Sequence, residues 1–350
     1  FDFPIVPITN QMGTLELFQG PTLAFKDVGA RFMARCLGYF NKENTSQKIT
    51  VLVATSGDTG GAVANGFLGV PGIEVVILYP KGKVSEVQEQ QLTTLGQNIT
   101  ALEVDGVFDD CQDMVKTAFL DEEITKHKQL TSANSINVGR WLPQMFYYFI
   151  AYRALKKINK RLVVSVPSGN FGNICAGLLA REIGLPIDHF IASTNINDVV
   201  PDFLSSGIYT PKKSSPTISN AMDVGDPSNF IRILKIFGDD IDSLKETLSG
   251  YRFTDDKTRE ALKEIHEISG YVADPHGAVG YLGLKEYLKD HPEKYGIFLE
   301  TAHPVKFLDT VEDTLNIKVD IPERLKETLS KTKKSITIQD YQGLKKFLLC

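Results

Sequence analysis

Six short runs along the chain carry unbroken apolar stretches and are rich in β-branched residues. They are Ile49 to Thr55 (ITVLVAT), Ile73 to Pro80 (IEVVILYP), Ile99 to Val104 (ITALEV), Arg161 to Ser168 (RLVVSVPS), Asp188 to Thr194 (DHFIAST) and Tyr295 to Thr301 (YGIFLET). Runs of this length predict strands buried on both faces, and the helix-period segments and turn residues between them are the pattern of parallel sheets covered by helices. Two α/β units follow, one sheet built from roughly residues 49 to 130 and the other from the flanks. Apolar residues Phe25, Val28, Phe32, Met33 and Leu37 recur at helical spacing behind the punctuation of Pro21 and Thr22, which predicts a helix starting between Ala24 and Asp27. Trp141, Leu142, Met145, Phe146 and Phe149 form an apolar face expected to lie in the core. The stretch Thr210 to Asn229, rich in Ser, Pro and Lys, reads as a mobile loop, and the tail beyond Leu315 as one or two extra helices packed on the body.

Composition narrows the classes of function. The 350 residues are 42% hydrophobic and 23% charged, as in soluble globular proteins large enough for two cored domains. A formal charge of −5, with KKINKR (Lys156 to Arg161) as the longest basic stretch, argues against a nucleic-acid partner. No run of about 18 apolar residues occurs and FDFPIVPITN lacks a basic region ahead of an apolar one, so neither a membrane span nor a secretory signal is expected. Cys36, Cys111, Cys175 and Cys350 are far apart and lack CxxC spacing, which predicts buried free thiols in a reducing, cytoplasmic setting. The six histidines show no HxxxH spacing, so no metal site is supported.

Lys26 is the first candidate for chemistry. In the first turn of the predicted helix the macrodipole disfavours an ammonium, and Leu23, Ala24 and Phe25 would partly desolvate it. Both effects favour a neutral amine able to form Schiff bases with carbonyl compounds, pyridoxal phosphate among them. The same position also suits a solvated lysine beside Asp27. Two glycine-containing turns stand at strand-to-helix junctions, where open α/β sheets bind ligands. In TSGDTGGAV (Thr55 to Val63), Ser56, Asp58 and Thr59 offer a helix N-cap, and backbone N–H groups could hold a carboxylate or phosphate. In PSGNFGNICAG (Pro167 to Gly177), Gly169 and Gly172 permit close approach of the backbone to an anion. Neither turn matches GxGxxG or GxxxxGK[ST], which disfavours a nucleotide loop. In LETAHPVKF, Thr301 is a strand-end hydroxyl able to bond a ring nitrogen without formal charge, while His303, and likewise His276, read as structural. In SANSINVGRWLPQMFYYF (Ser132 to Phe149), Asn134, Ser135 and Asn137 mark a helix start, and Arg140 could grip an oxyanion bidentately or lie exposed.

Taken together, GPTLAFKD, ATSGDTG, SANSINVGR, VPSGNFGN and TAHPVKF, in this order, closely resemble the threonine synthase family of the fold-type II pyridoxal-phosphate enzymes, in its enterobacterial and fungal branch. The resemblance runs from about Leu15 to Phe307 and includes STNINDVVP and SNAMDVGDPSN. It implies an α/β fold like the tryptophan synthase β chain, with open, mostly parallel sheets and helices on both faces. Residues 1–40 with 140–318 would form a large cofactor-binding domain, 41–139 a small mobile domain, and 319–350 a C-terminal helical extension. Lys26 would carry the Schiff base with pyridoxal 5'-phosphate, Gly169, Asn170, Phe171, Gly172 and Asn173 would surround its phosphate, and Thr301 would face its ring nitrogen. Ser56, Gly57, Asp58, Thr59 and Gly60 would meet the substrate carboxylate and the cofactor edge, Asp58 standing where many fold-type II relatives have Asn. Asn134, Ser135 and Arg140 would hold the phosphate of O-phospho-L-homoserine. Members of this branch usually carry a further N-terminal segment of several dozen residues, so the chain, which begins at Phe1, is expected to be a fragment.

The activity implied is a carbon–oxygen lyase reaction, the last step of threonine biosynthesis, by a protein expected to be a monomer. Lys26 would remove the α proton; a second proton loss at Cβ would expel phosphate from Cγ, with Arg140 stabilising the departing charge, and water would then add at Cβ. A phospho-lyase or dehydratase would share the elimination but not the β-hydroxyl product. A cofactor-binding scaffold without turnover is the alternative outside catalysis.

Overall fold

The structure, a computed structural model, describes residues 1–42 and 48–350; residues 43–47, which the expected small domain includes, lie outside the described residues. Its strands in chain order are β1 (Ile5–Pro7), β2 (Met12–Glu16), β3 (Ile49–Ala54), β4 (Ile73–Pro80), β5 (Ile99–Val104), β6 (Gln129–Ser132), β7 (Leu162–Pro167), β8 (His189–Thr194), β9 (Leu248–Arg252), β10 (Tyr295–Glu300) and β11 (Ile336–Ile338). All six sequence-predicted strands are present within a residue or so of the expected bounds. The chain divides into two compact units, the first Phe1–Phe25 with Trp141–Asp320 and the second Lys26–Arg140 with Ile321–Cys350.

In a strand buried on both faces, alternate side chains must reach two different cores, and β3 and β4 do so. Ile49, Val51 and Val53 of β3, with Ile73, Val75, Ile77 and Tyr79 of β4, join one cluster; Leu52, Ala54, Val76 and Leu78 join the other. These strands form the second unit's wholly parallel sheet, in the order β11-β5-β4-β3-β6. Helices α1 (Lys26–Phe40), α2 (Asp58–Phe67) and α3 (Glu86–Thr93) carry the first cluster through Ala30, Met33, Ala62, Val63 and Leu92. This packing corrects the expected boundary at residue 40, since the buried stripe of α1 joins it to the sheet built from residues 49 to 132.

The tail carries two helices packed on the body, Glu323–Leu329 and Tyr341–Leu349, as expected, and adds what was not expected: Ile336–Ile338 form a parallel strand beside β5, and Leu344 and Leu348 complete the second cluster with Cys111 and Val115. The first unit has a six-stranded sheet ordered β1-β2-β10-β7-β8-β9, parallel except for β1. Its core joins Val163, Ile191 and Phe298 to Ala278, Tyr281 and Leu284 of the helix Pro275–Asp290.

The expected core face at residues 141–149 is corrected in part: Trp141 is buried as expected, but Leu142, Phe146 and Phe149 are exposed, and Tyr147 and Tyr148 are the fully buried side chains. A tyrosine can be buried where its hydroxyl has an acceptor, and both hydroxyls reach Asn173. The stretch Thr210–Asn229 is mostly irregular, as expected, yet it is tied down: Asn195 Nδ2 donates to Thr217, Ser219 and Asp223, and Lys212 N–H to the Gly225 carbonyl. Among the described residues no helix is long and apolar enough to cross a membrane.

Candidate active site

Each sheet has one place where the strand order reverses. In the second unit the chain runs β3-β4-β5 in one direction and then places β6 on the other side of β3; in the first it runs β7-β8-β9 and then places β10 on the other side of β7. Loops leaving the carboxyl ends of two such strands part from one another and leave a crevice, the usual ligand position in open α/β sheets. The loops singled out from the sequence occupy these two places: Thr55–Gly60 after β3 and Ala133–Arg140 after β6, Ser168–Asn173 after β7 and Thr301–His303 after β10.

In the second unit, Lys26 is the first residue of α1, inside the predicted window, and is half-buried. Its carbonyl accepts a hydrogen bond from Arg140 Nη1 at 3.2 Å, and Arg140 Nε donates to the Ala133 carbonyl at 2.6 Å. Arg140 is only 3% exposed, and burial pushes its pKa down to about 10 despite the nearby Asp27. The arginine is therefore buried rather than exposed. Two of its donors brace backbone, one of them the backbone of Lys26. Gly29 permits this approach, since a Cβ there would lie 1.8 Å from the Arg140 carbonyl oxygen.

Asn134 is similarly engaged. Its Oδ1 accepts from Ala54 N–H at 3.1 Å and its Nδ2 donates to the Ala54 carbonyl at 2.7 Å, so the side chain continues the ladder between β6 and β3 and pins the two loops together. Ser135 is half-buried beside it. In the other loop, none of Ser56, Asp58 and Thr59 caps α2. The cap is Gly57, at φ +133°, and Thr55 Oγ1 accepts from both Gly57 and Gly60 N–H at 2.9 Å. Two of the loop's N–H groups are thus met internally. Asp58 is buried and accepts from Gln88 Nε2 at 3.0 Å, while Ser56 and Thr59 are half-buried.

In the first unit, Thr301 directly follows β10, and its carbonyl accepts from Phe25 N–H at 2.9 Å. Ala24 and Ala302 form a bridge, and His303 N–H donates to the Leu23 carbonyl. The three residues leading into Lys26 are therefore held on the strand end that carries Thr301. Leu23 does this at φ +61°, a left-handed conformation costing a non-glycine residue about 1–2 kcal/mol. His303 caps the following turn, its Nδ1 accepting from Val305 N–H, which agrees with the structural reading.

The glycine loop is closely packed and hydrogen-bonded. Gly169 packs against the turn Asn220–Met222, where a Cβ would come within 2.8 Å of the Ala221 carbonyl oxygen. Asn170 Oδ1 accepts from Ser228 N–H and Oγ, and its carbonyl from Asn229 Nδ2. Phe171, at φ +60°, precedes Gly172, the first residue of the helix Gly172–Glu182. Asn173 Oδ1 accepts from Tyr147 and Tyr148, which fixes the amide so that Nδ2 is turned away from them; that NH2 is buried with no partner among the described residues. A buried amide donor without an acceptor costs about 1–3 kcal/mol. At a helix N-terminus it suits an anion, and the phosphate of pyridoxal phosphate fits this chemistry.

Tyr147, Tyr148, Thr55 and Gly29 escaped the sequence reading. The tyrosine pair carried a signal, a polar tip on each of two adjacent aromatics. The other two became meaningful only through distant partners.

Comparison with known proteins agrees with this arrangement. Residues 14–299 match the family model for pyridoxal-phosphate dependent enzymes and residues 277–348 that for the threonine synthase C-terminal region. The threonine synthase of Escherichia coli strain K12 is 49% identical over 329 residues, covering 93% of this chain and 75% of that one. The crystal structure of E. coli threonine synthase superposes with a TM-score of 0.93 at 47% identity, covering 100% of this chain and 80% of that one. A Brucella melitensis threonine synthase, solved with pyridoxal phosphate bound, gives 0.90 at 34% identity, with 99% and 80% coverage. With sequence and fold so closely matched over the whole chain, and with the glycine loop and the strand-end threonine at the reversal point of a sheet, the chain belongs to the threonine synthases, pyridoxal-phosphate-dependent enzymes of fold type II.

Proposed function

We propose that the chain converts O-phospho-L-homoserine and water to L-threonine and phosphate, with pyridoxal 5'-phosphate held at Lys26. The observation that carries the reading is Asn173, whose buried Nδ2 donor is left for an anion at the start of the helix Gly172–Glu182. When bound, pyridoxal phosphate supplies an electron sink that makes the α and β protons of an amino acid removable. Gly169 to Asn173 would hold its phosphate, and the Thr301 hydroxyl would serve the ring nitrogen without adding charge. Lys26 Nζ would hold the cofactor, and its amine would move the α proton. Arg140 keeps that lysine in place from beneath, through its carbonyl. Ser56, Gly57, Thr59 and Gly60 receive the substrate carboxylate and Ser135 its phosphate, while Asp58 and Asn134 shape the two loops from within. The protein acts as a monomer in the cytoplasm, where free thiols such as Cys111 and Cys175 persist.

Borohydride reduction of the protein with pyridoxal phosphate should place a stable label on Lys26, and product analysis should find threonine and phosphate in equal amounts. A chain that takes up no pyridoxal phosphate would refute the proposal, and 2-oxobutyrate in place of threonine would move it to a phospho-lyase or dehydratase.

A further inference from the structure

The first unit contains a group of buried ionisable side chains that the reading above leaves unused. Asp274, which caps the helix Pro275–Asp290, is 0% exposed, His276 is 3% exposed, and Glu300, the last residue of β10, is 0% exposed. Asp274 Oδ1 accepts from the His276 backbone N–H and lies 2.6 Å from His276 Nδ1, while Oδ2 accepts from Ala302 N–H at 3.2 Å. On the far side of the ring, His276 Nε2 accepts from Ala221 N–H at 3.3 Å. A ring nitrogen that accepts carries no proton, so His276 is the Nδ1–H tautomer with its proton directed at Asp274.

The resulting chain of hydrogen bonds runs from Ala302 through Asp274 and His276 to Ala221. Ala302 follows Thr301, and Ala221 is the residue against which Gly169 packs. We propose that the Asp274–His276 pair is the positioning element of the cofactor site, locking the turn that carries Thr301 and the glycine loop that receives the phosphate into one frame through a single histidine tautomer. The proposal rests on the assignment of Thr301 and Gly169–Asn173 to the cofactor.

A helix cap alone does not account for the arrangement. Capping needs one carboxylate oxygen, and here the second is aimed outside the helix at Ala302; nor does capping require the imidazole to face the turn Asn220–Met222. The surroundings are built to keep the pair in place. Glu300 Oε1 accepts from Asp274 N–H, and its Oε2 is buried without a partner among the described residues, over Gly277, where a Cβ would be 1.7 Å away. Burial, reinforced by Asp274, holds Glu300 well above the usual carboxyl range. Glu16, Tyr271 and Asp223 are the other ionisable groups around this network, and Phe307 packs edge-on against the His276 ring at 4.9 Å.

Three variants of the full chain separate the links. In Asp274→Asn a single oxygen remains: kept toward the His276 backbone N–H and Nδ1 it turns the amide NH2 on Ala302 N–H, and turned toward Ala302 it sets the NH2 against His276, so one side of the link is lost either way. His276→Asn keeps a partner for Asp274 but loses the acceptor for Ala221, whereas His276→Gln can place an acceptor near the Nε2 position. Ring-nitrogen NMR of the unaltered protein should show the Nδ1–H tautomer. The dissociation constant for pyridoxal phosphate, by absorbance titration, should rise about tenfold or more in Asp274→Asn and His276→Asn, with a displaced absorbance maximum of the bound cofactor, and stay within about threefold in His276→Gln. If Asp274→Asn fails to fold, the two His276 variants still decide. An Nε2–H tautomer in the unaltered protein, or folded His276→Asn binding as tightly as the parent, overturns the proposal while leaving the site assignment standing. An unaltered protein that binds no pyridoxal phosphate overturns both.

Discussion

At Gly29 two general rules give opposite signs. Replacing glycine by alanine inside a helix ordinarily stabilises by about 1 kcal/mol, because glycine loses more backbone entropy on folding. At this place in α1, however, the new Cβ would sit 1.8 Å from the Arg140 carbonyl oxygen and 2.8 Å from its Nη1. The first separation is roughly 1.5 Å short of ordinary contact, and the atom in the way is backbone. Arg140 has little room to withdraw, since it is buried and its Nε and Nη1 are bonded to the carbonyls of Ala133 and Lys26. Overpacking of a tight site costs about 1–3 kcal/mol, and a buried polar group left unmet about 1–3 kcal/mol more. Set against the propensity gain, Gly29→Ala should lose about 1–5 kcal/mol. Urea unfolding followed by far-ultraviolet circular dichroism measures this, with the fluorescence of the sole tryptophan, Trp141, which directly follows Arg140, as a second probe. Borohydride labelling of Lys26 should weaken in parallel as the first turn of α1 shifts. Gly61→Ala in α2 is the control: its nearest contact is the flexible end of Gln91, Oε1 at 3.3 Å, so it should be neutral or slightly stabilising. A Gly29→Ala protein as stable as the parent would refute the argument.

Thr55→Val should cost about 2–4 kcal/mol by leaving Gly57 and Gly60 N–H unmet, while Thr55→Ser should retain most of the stability, both read from urea midpoints. His189 is buried, which lowers its pKa to about 4. It therefore contributes nothing to the pH dependence above the unfolded value of about 6.5, and stability is lost as pH falls from there toward 4, by about 2 kcal/mol between pH 7.5 and 5; His189→Gln should flatten that slope. Burial pushes the Cys111 and Cys175 thiols up to about 12, so iodoacetamide should modify exposed Cys350 in the native protein and reach the buried pair only after unfolding, as peptide mapping would show. Leu344→Ala should destabilise the second unit by about 2–5 kcal/mol in the same urea assay; a change below about 0.5 kcal/mol would mean that the tail is an appendage after all.

The central strands and the start of α1 were legible because their signal is local. β4 and β5 coincide with their apolar runs, and a strand buried on both faces has to be apolar throughout. β6 (QLTS), β9 (LSGYR) and β11 (ITI) escaped notice because short, half-polar segments become strands only when a neighbour's ladder accepts them. The site divides along the same line. Its loops could be found from turn residues behind strands, and the resemblance to a family could be read from their wording. The roles inside those loops depended on partners far away in the chain: Arg140 turned inward to the carbonyl of Lys26, Asn134 joined the ladder at Ala54, and Tyr147 and Tyr148 were buried in preference to Phe146 and Phe149 because Asn173 stood opposite their hydroxyls. The sequence by itself determined which segments could be strand, helix or turn, and which residues could do chemistry, because those properties reside in short stretches of side chains. Only the tertiary structure decided which polar groups face one another, since a buried donor takes the acceptor that folding brings within about 3 Å, whatever its distance along the chain.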